Sequence, residues 1–463
     1  MANIIQHLQN NEFERVLNFC NETLKQTPND HQLIIVKAWC LYRLGELEQA
    51  NTYFLQWPNA SELHPIPLGL LQDFFFITDN HEQMIALCQH YLQKQPTNTT
   101  LWYKLALSQG LLGLENEAIT TFKKLLSLES HNKAKVNLAC LLFNQENFTE
   151  GLALYESRFD AFDHSDWILD KFSSVPLWQG EPLNNKTIVI WAEQGLGDTI
   201  QFSRFATVLA QQGAQVHLLL HNQHNSCWEL MNTIEGVTQV YRVGEQPFRI
   251  PDIHYHCPMM GILKRIHFTN ASIPSATPYL RAITAHESQW AFIQQSTQPK
   301  IGLVWSTKTK VDGHKEKQAL GTGQSSKNIP LHYYETIITQ FKHMTFYSLQ
   351  YDISDDDAQQ LKQWGVINTS KHINNFSDTA AIIEHMDLII SIDTSVTHLA
   401  GAMAKPTITL LPTINDWRWQ ENRSDSPWYP TMTLIRQHKR NDWSEAMAEL
   451  QQQIEEKLPS HKK

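Results

Sequence analysis

No stretch of this 463-residue chain approaches the roughly 18 consecutive apolar residues that a membrane-crossing helix requires. Its first residues show no basic segment leading into a long apolar one. No secretory leader is therefore read, and a cytoplasmic location is expected. Cysteine is sparse: there are six, at positions 20, 40, 88, 140, 227 and 257, with no CxxC pair. That argues against a disulfide framework or a zinc ribbon and suits a reducing compartment. The run His254-Tyr-His-Cys257 has ligand-type side chains, yet no second cluster lies at zinc spacing. Basic residues form no large block and the net charge is −10, so nucleic acid is not an expected partner. The phosphate-loop pattern GxxxxGK[ST] is missing. A dinucleotide fingerprint also fails, because Ile200 stands where a third glycine would follow Gly195 and Gly197.

What is present is a chain with 42% hydrophobic residues, ample for packed cores, and long enough for about three domains. Its first part repeats. Asn11-Glu-Phe-Glu-Arg-Val16 aligns with Gly45-Glu-Leu-Glu-Gln-Ala50, Asp79-Asn-His-Glu-Gln-Met84, Gly113-Leu-Glu-Asn-Glu-Ala118 and Asn147-Phe-Thr-Glu-Gly-Leu152. Each start falls 34 residues after the last. The first position is always Gly, Asn or Asp, which suits a left-handed turn between two helices. The sixth is apolar, which suits close helix packing. A 34-residue helix–turn–helix period resembles the tetratricopeptide repeat, and the array is expected over residues 1–170. Such repeats stack into a superhelix whose concave face binds peptides or protein surfaces. Trp39, Tyr42, Trp102 and Tyr103 are candidates for that face or for the repeat core. Protein binding and simple buttressing of the next domain are both open.

A Pro/Gly-rich stretch, Val175-Pro-Leu-Trp-Gln-Gly-Glu-Pro-Leu183, reads as a linker within 171–185. Beyond it, strands alternate with helices. Strands are expected at 187–191, 216–220 and 237–241 with a helix at 199–212. Further strands are expected at 300–305, 346–350, 387–392 and 407–411. The pattern gives two Rossmann-like domains in tandem, 186–297 and 298–440, with a helical tail at 441–463. Ligands of such sheets bind beyond the C-terminal strand edges.

Two strand–turn–helix segments carry the chemistry. In the first, Ile188-Val-Ile-Trp191 runs into Glu193-Gln-Gly-Leu-Gly-Asp-Thr199. Gly195 and Gly197 permit close approach of a ligand, and Asp198 and Thr199 sit where a helix N-cap belongs. In the second, Ser391-Ile-Asp-Thr-Ser-Val-Thr-His-Leu399 places Asp393, Thr394, Ser395 and Thr397 at a helix start with His398 in its first turn. Unpaired N–H groups, hydroxyls and the helix dipole together suit a phosphate. Ordinary capping by Asp393 or Ser395 is the plainer reading.

The segment from Ile389 to Pro406 is similar to the donor-site motif of the heptosyltransferase-like glycosyltransferases, and Gln194-Gly-Leu-Gly-Asp-Thr-Ile200 resembles their N-terminal motif. Asp416-Trp-Arg-Trp419 and Ser426-Pro-Trp-Tyr-Pro430 look like signatures of bacterial proteins that join tetratricopeptide repeats to such a domain. Protein O-GlcNAc transferases are more distantly similar. The resemblance implies an α-solenoid followed by a GT-B pair of Rossmann-like domains (an α plus α/β chain), acceptor side first and nucleotide-sugar side second, with the 443–457 helix returning to the first domain. It implies an inverting transfer without an essential metal or other cofactor, the nucleotide-sugar being a co-substrate.

The resemblance carries the base role onto Asp198, with Glu193 as substitute and Gln194, Gly195 and Gly197 forming the acceptor-side loop. On the donor side the expected contacts are Lys327, Asp393, Thr394, Ser395, Thr397, His398, Leu399, Trp305 and Gln350, with Asp378 and Thr379 as further candidates. Related sequences often show Arg-Ser where this chain has Lys327-Asn328. The polar loop 306–324, with Lys308, Lys310, Lys315 and Lys317, is either a flap over the phosphates or a solvated loop. Trp417, Trp419 and Trp428 could stack on sugar or pack in the core. No DxD pair stands where a metal-dependent transferase needs it, and Asp355-Asp-Asp357 reads as helix capping. The leading expectation is transfer to a protein recruited by the repeats, for example a flagellar or surface protein. The other readings are a lipopolysaccharide or glycan acceptor, and an interaction scaffold with an inactive transferase domain.

Overall fold

The computed structural model describes residues 2–59, 62–162, 172–243, 250, 252–307 and 327–459. The chain divides into two compact units, Met1–Leu128 and Glu129–Lys463.

The first unit is four helix pairs: Ala2–Gln9 with Phe13–Leu24, His31–Arg43 with Leu47–Phe54, Pro65–Ile77 with His81–Lys94, and Thr99–Leu111 with Glu115–Leu128. The period is legible in the backbone. Asn11, Gly45, Asp79 and Gly113 all have positive φ, between 58° and 93°, a conformation open to Gly and tolerated by Asn and Asp. The sixth-position residues Val16, Ala50, Met84 and Ala118 are buried. Trp39 and Tyr103 are core residues, whereas Trp102 donates Nε1–H to the Pro96 carbonyl at 2.9 Å.

The fifth pair, Asn132–Asn144 and Phe148–Tyr155, departs from the expected pattern twice. Its left-handed residue is Glu146, φ 58°, one position before the aligned Asn147, which instead caps the next helix through Oδ1 and the Glu150 amide at 3.4 Å. It also belongs to the second unit. Val136, Ala139, Phe143, Phe148, Leu152 and Tyr155 share a core with the first α/β sheet. A pattern that continues to 170 in sequence thus changes partner at 128. The reason is the aromatic face of this pair, with Phe143 packed on Trp417 at 4.7 Å and Phe148 on Phe268 at 4.9 Å.

The first sheet contains β1 (Thr187–Trp191), β2 (Gln215–Leu220), β3 (Val237–Arg242) and β4 (Tyr255–Pro258), in the order β3-β2-β1-β4. All its pairings are parallel. The expected linker is partly sheet: Trp178 N donates to the His256 carbonyl at 2.9 Å and His256 N to the Pro176 carbonyl at 3.1 Å. The expected single helix 199–212 is two, Leu196–Phe202 and Phe205–Gln211.

The second sheet contains β5 (Lys300–Leu303), β6 (Thr345–Ser348), β7 (Ile367–Asn368), β8 (Leu388–Ile392), β9 (Thr407–Leu411) and β10 (Met432–Arg436), in the order β10-β9-β8-β5-β6-β7. It too is parallel throughout. The order reverses between β5 and β8, and in the first sheet between β1 and β4. These reversals are where doubly wound sheets open a crevice for ligands. The expected return of the C-terminal helix to the first sheet is not found. Helix Ser444–Lys457 packs Ala446, Met447, Leu450 and Ile454 into the core of the second sheet, with Ile301, Ile337 and Ile435. Its apolar stripe matches the layer beside β10, so it stays with the domain that precedes it.

Candidate active site

The glycine loop leaves β1 at the strand reversal of the first sheet. The helix it opens has Gly195 as N-cap and Asp198 at its third position. The expected capping by Asp198 and Thr199 is therefore corrected. Asp198 Oδ2 accepts the Gly195 amide at 2.9 Å, a loop-closing bond that orients the carboxylate. Its Oδ1 accepts from Arg418 Nη2, and the side chain is 19% exposed.

Arg418 is itself held fast. Its Nε donates to Gln201 Oε1 at 2.8 Å and its Nη1 to Asp416 Oδ1 at 2.8 Å. The guanidinium also lies over Trp417 at 4.7 Å. Burial raises the Asp198 pKa above the ordinary carboxylate value. Arg418 and the Gly195 amide pull it back, while Asp416 and Glu193 push it up again.

The second segment leaves β8 at the other strand reversal. Here Thr394 is the N-cap, its Oγ1 accepting the Val396 amide at 3.2 Å, in place of the expected Asp393 or Ser395. That frees Asp393, whose Oδ2 takes the Lys327 ammonium at 2.6 Å. Burial opposes both charges, but each outweighs that effect through the other, so the Asp393 pKa is lowered and the Lys327 pKa raised. His398 is buried and shifted down to about 4, chiefly by burial, so it is neutral near pH 7. Its Nδ1 is 2.9 Å from the Tyr429 hydroxyl and its ring stacks on Trp419 at 5.2 Å.

The two segments meet. A Cβ placed on Gly197 would lie 2.8 Å from His398 Cδ2 and 3.7 Å from Ser395 Cα. Only a glycine lets the two helix starts approach this closely. Asp198 with Arg418 on one side, and Asp393, Lys327 and His398 on the other, thus form one polar cluster. Thr394 and Ser395 at its edge are half-buried.

Other expected site residues go elsewhere. Thr397 Oγ1 is 2.7 Å from Thr409 Oγ1 in the interior, and Leu399 is wholly buried. Trp305 is a core residue of the second sheet, its Nε1 donating to Asp357 at 3.3 Å. Gln350 is occupied with backbone, accepting the Ser306 amide at 3.2 Å and donating to the Ser306 carbonyl at 2.9 Å. Asp378 accepts from the Asn374 amide at 2.8 Å and lies 2.8 Å from His286 Nδ1, while Thr379 Oγ1 donates to the Asn375 carbonyl at 3.4 Å.

Glu193 is closed off as a substitute base. Arg158 binds both its oxygens, at 2.7 and 3.1 Å, and the Met260 amide donates to Oε1 at 2.8 Å. Trp417, Trp419 and Trp428 are all buried. Asp355–Asp357 lie in the first turn of helix Asp355–Gln363, but its cap is Ser354. His254 and His256 are structural: Nδ1 of His254 accepts the Thr187 amide at 3.2 Å, and Nδ1 of His256 accepts from Trp191 Nε1 at 3.2 Å. The four loop lysines lie outside the described residues.

Sequence reasoning assigns no role to Arg418, although it singles out the run Asp416–Trp419. It gives no signal at all for Arg158 and Tyr155, which sit among repeat residues.

The family model described as Glycosyltransferase family 9 (heptosyltransferase) matches residues 373–454. That window contains Asp393, Thr394, His398 and Arg418, and supports a glycosyltransferase; Asp198 lies outside it. A curated relative, Protein FlbA of Caulobacter vibrioides, is 24% identical over 327 residues, covering 64% of this chain and 51% of its own. The chain thus spans about half the length of that relative. Among solved structures, a glycosyl transferase family 9 protein from Veillonella parvula is 12% identical, over 56% of this chain and 88% of its own, at TM-score 0.41. YrrB, described as a TPR protein with an unusual peptide-binding site, is 15% identical over 37% of this chain and 88% of its own, at TM-score 0.31. Among the described residues no helix is long and apolar enough to cross a membrane.

Proposed function

We propose that this chain transfers a sugar from a nucleotide-sugar to a hydroxyl of a protein, with the repeats recruiting that protein, a flagellar or surface protein being the leading case. One observation carries the reading: Gly197 brings the Asp198 helix start against the His398 helix start. A carboxylate of raised pKa then lies beside the Lys327–Asp393 pair and a helix start, between the ends of two parallel sheets.

Asp198 takes the acceptor hydroxyl proton as the new oxygen–carbon bond forms. The anomeric carbon–oxygen bond breaks, and the electron pair leaves with the nucleotide. Lys327, held in place by Asp393, and the positive end of the Ser395–Ala402 helix stabilise the departing phosphate. Neutral His398 fills the floor of the pocket without adding a second cation. Inversion at the anomeric carbon follows from a single displacement, and a GT-B arrangement of the two sheets is the natural frame for it. No step of this route calls on a metal ion.

The heptosyltransferase named in the family description leaves room for a second reading, in which the acceptor is a lipopolysaccharide or other glycan. Labelled UDP-, GDP-, ADP- and CMP-sugars incubated with the full chain, and with host protein or lipopolysaccharide fractions, separate the two. Label in protein supports the first reading and label in glycan the second. Label in neither, with any donor, overturns both.

A further inference from the structure

The last helix pair of the repeat array reaches into the loop that aims Asp198. Gln194, the residue before the capping glycine, is held at φ 61°, a strained conformation that a non-glycine residue keeps only where its surroundings impose it. Three contacts do so. Its side chain donates to the Tyr155 hydroxyl. Its carbonyl accepts from Gln223 Nε2 at 2.7 Å and lies 3.0 Å from His224 Nε2. Next to it, Glu193 is clamped by Arg158 through both oxygens. Arg158 is buried, its guanidinium stacked over Phe159 at 4.1 Å, with Nη1 donating to the Tyr155 carbonyl at 3.0 Å. The chain of contacts then runs from Gln194 to the Gly195 amide and on to Asp198 Oδ2.

We infer that Tyr155 and Arg158 are positioning residues of the transfer site, so that the fifth helix pair and the residues just after it fix the geometry of the glycine loop. The inference rests on the reading of Asp198 as the base. Arg158 also sets the local charge. It neutralises Glu193, which with Asp416 raises the Asp198 pKa while Arg418 lowers it. The ammonium of Lys327 is matched by Asp393, and His398 is neutral.

Two measurements on the full chain test it. Deuterium exchange is followed in the peptide covering 193–202 for Tyr155→Phe and Arg158→Gln, with the β8 peptide 388–392 as internal reference. Exchange in 193–202 is expected to rise about tenfold while 388–392 stays unchanged; no rise in Tyr155→Phe overturns the inference without any assay of turnover. Nucleotide-sugar turnover is then compared across pH. Both variants are expected to lose about 10- to 100-fold in kcat at unchanged nucleotide affinity. Arg158→Gln moves the acidic limb to higher pH, because an unneutralised Glu193 disfavours ionised Asp198, and Arg158→Gln/Glu193→Gln moves it back. Wild-type rates and profiles in these variants, beside an inactive Asp198→Asn, overturn the inference and leave the transfer reading standing. An Asp198→Asn protein that turns over normally overturns the transfer reading itself.

Discussion

Replacing Gly197 by alanine adds one methyl group where the two motif helices touch. The new carbon would sit 2.8 Å from His398 Cδ2 and 3.4 Å from Nε2, against an optimal carbon–carbon separation of about 3.5–4.0 Å. The imidazole cannot swing aside freely, being tied to Tyr429 at 2.9 Å and stacked on Trp419. Relief therefore comes from parting the helix starts or breaking the His398–Tyr429 contact. Overpacking of this kind costs about 1–3 kcal/mol. Alanine returns about 0.4–1 kcal/mol by restricting the unfolded chain. The net destabilisation is about 0–2.6 kcal/mol. The effect on turnover is larger than on stability, because a displacement near 1 Å between base and donor pocket costs about 100-fold. Chemical denaturation and initial rates measure the two effects. Gly195→Ala is the control. Its new carbon meets only the Asp198 carboxylate, at 3.2 Å, so the clash with His398 is absent. A Gly197→Ala protein with wild-type rate and stability would refute the claim that the two segments meet here.

Three further outcomes are expected. Lys327→Ala leaves Asp393 buried without its cation, which costs about 3–5 kcal/mol in a denaturant titration. Adding Asp393→Asn recovers stability but not nucleotide affinity, and recovery of both would contradict the donor-site role. His286, between Asp378 at 2.8 Å and Glu229 at 2.9 Å, has its pKa raised above 6.5, first by the hydrogen bond to Asp378. Its contribution to stability is full below pH 6.5 and fades as pH rises through the folded value. Thermal melts across pH should show this decline, and His286→Gln should flatten it; an unchanged profile would contradict it. Phe143→Ala removes a fully buried ring and should cost about 3–5 kcal/mol, expressed in unfolding of Glu129–Lys463. A change confined to the transition of Met1–Leu128 would contradict the division at 128.

Much of this architecture is legible in the sequence because it is periodic. The 34-residue repeat predicts every helix pair, and apolar runs such as Ile188–Trp191 or Leu388–Ile392 announce buried parallel strands. The missed strands break that rule. β4 opens with Tyr255 and His256, which read as metal-ligand types; β7 has two residues; β10 comes after the Pro-rich run 426–430. The helix read over 199–212 breaks at Ser203 and Arg204, because Arg204 turns inward to the Trp428 carbonyl at 2.8 Å. Asp198, Asp393 and His398 are identifiable from strand–turn–helix context, and Lys327 from the family resemblance alone. The pairing of Asp198 with Arg418 is not, since it joins residues 220 positions apart and leaves no mark on local periodicity. Thr397 and Leu399 are misplaced for a related reason. A motif marks which turn of a helix faces the pocket, but each residue's side of the helix depends on the sheet beneath it.

The proposed sugar transfer requires a nucleotide site at the Asp393–His398 turn, with Asp198 outside it. Calorimetric titration of UDP, GDP, ADP and CMP into wild-type, Asp198→Asn and Lys327→Ala proteins tests this directly. One nucleotide is expected to bind wild-type and Asp198→Asn alike, and to bind Lys327→Ala more weakly. Binding of none of the four, or equal binding by wild-type and Lys327→Ala, would contradict the donor site.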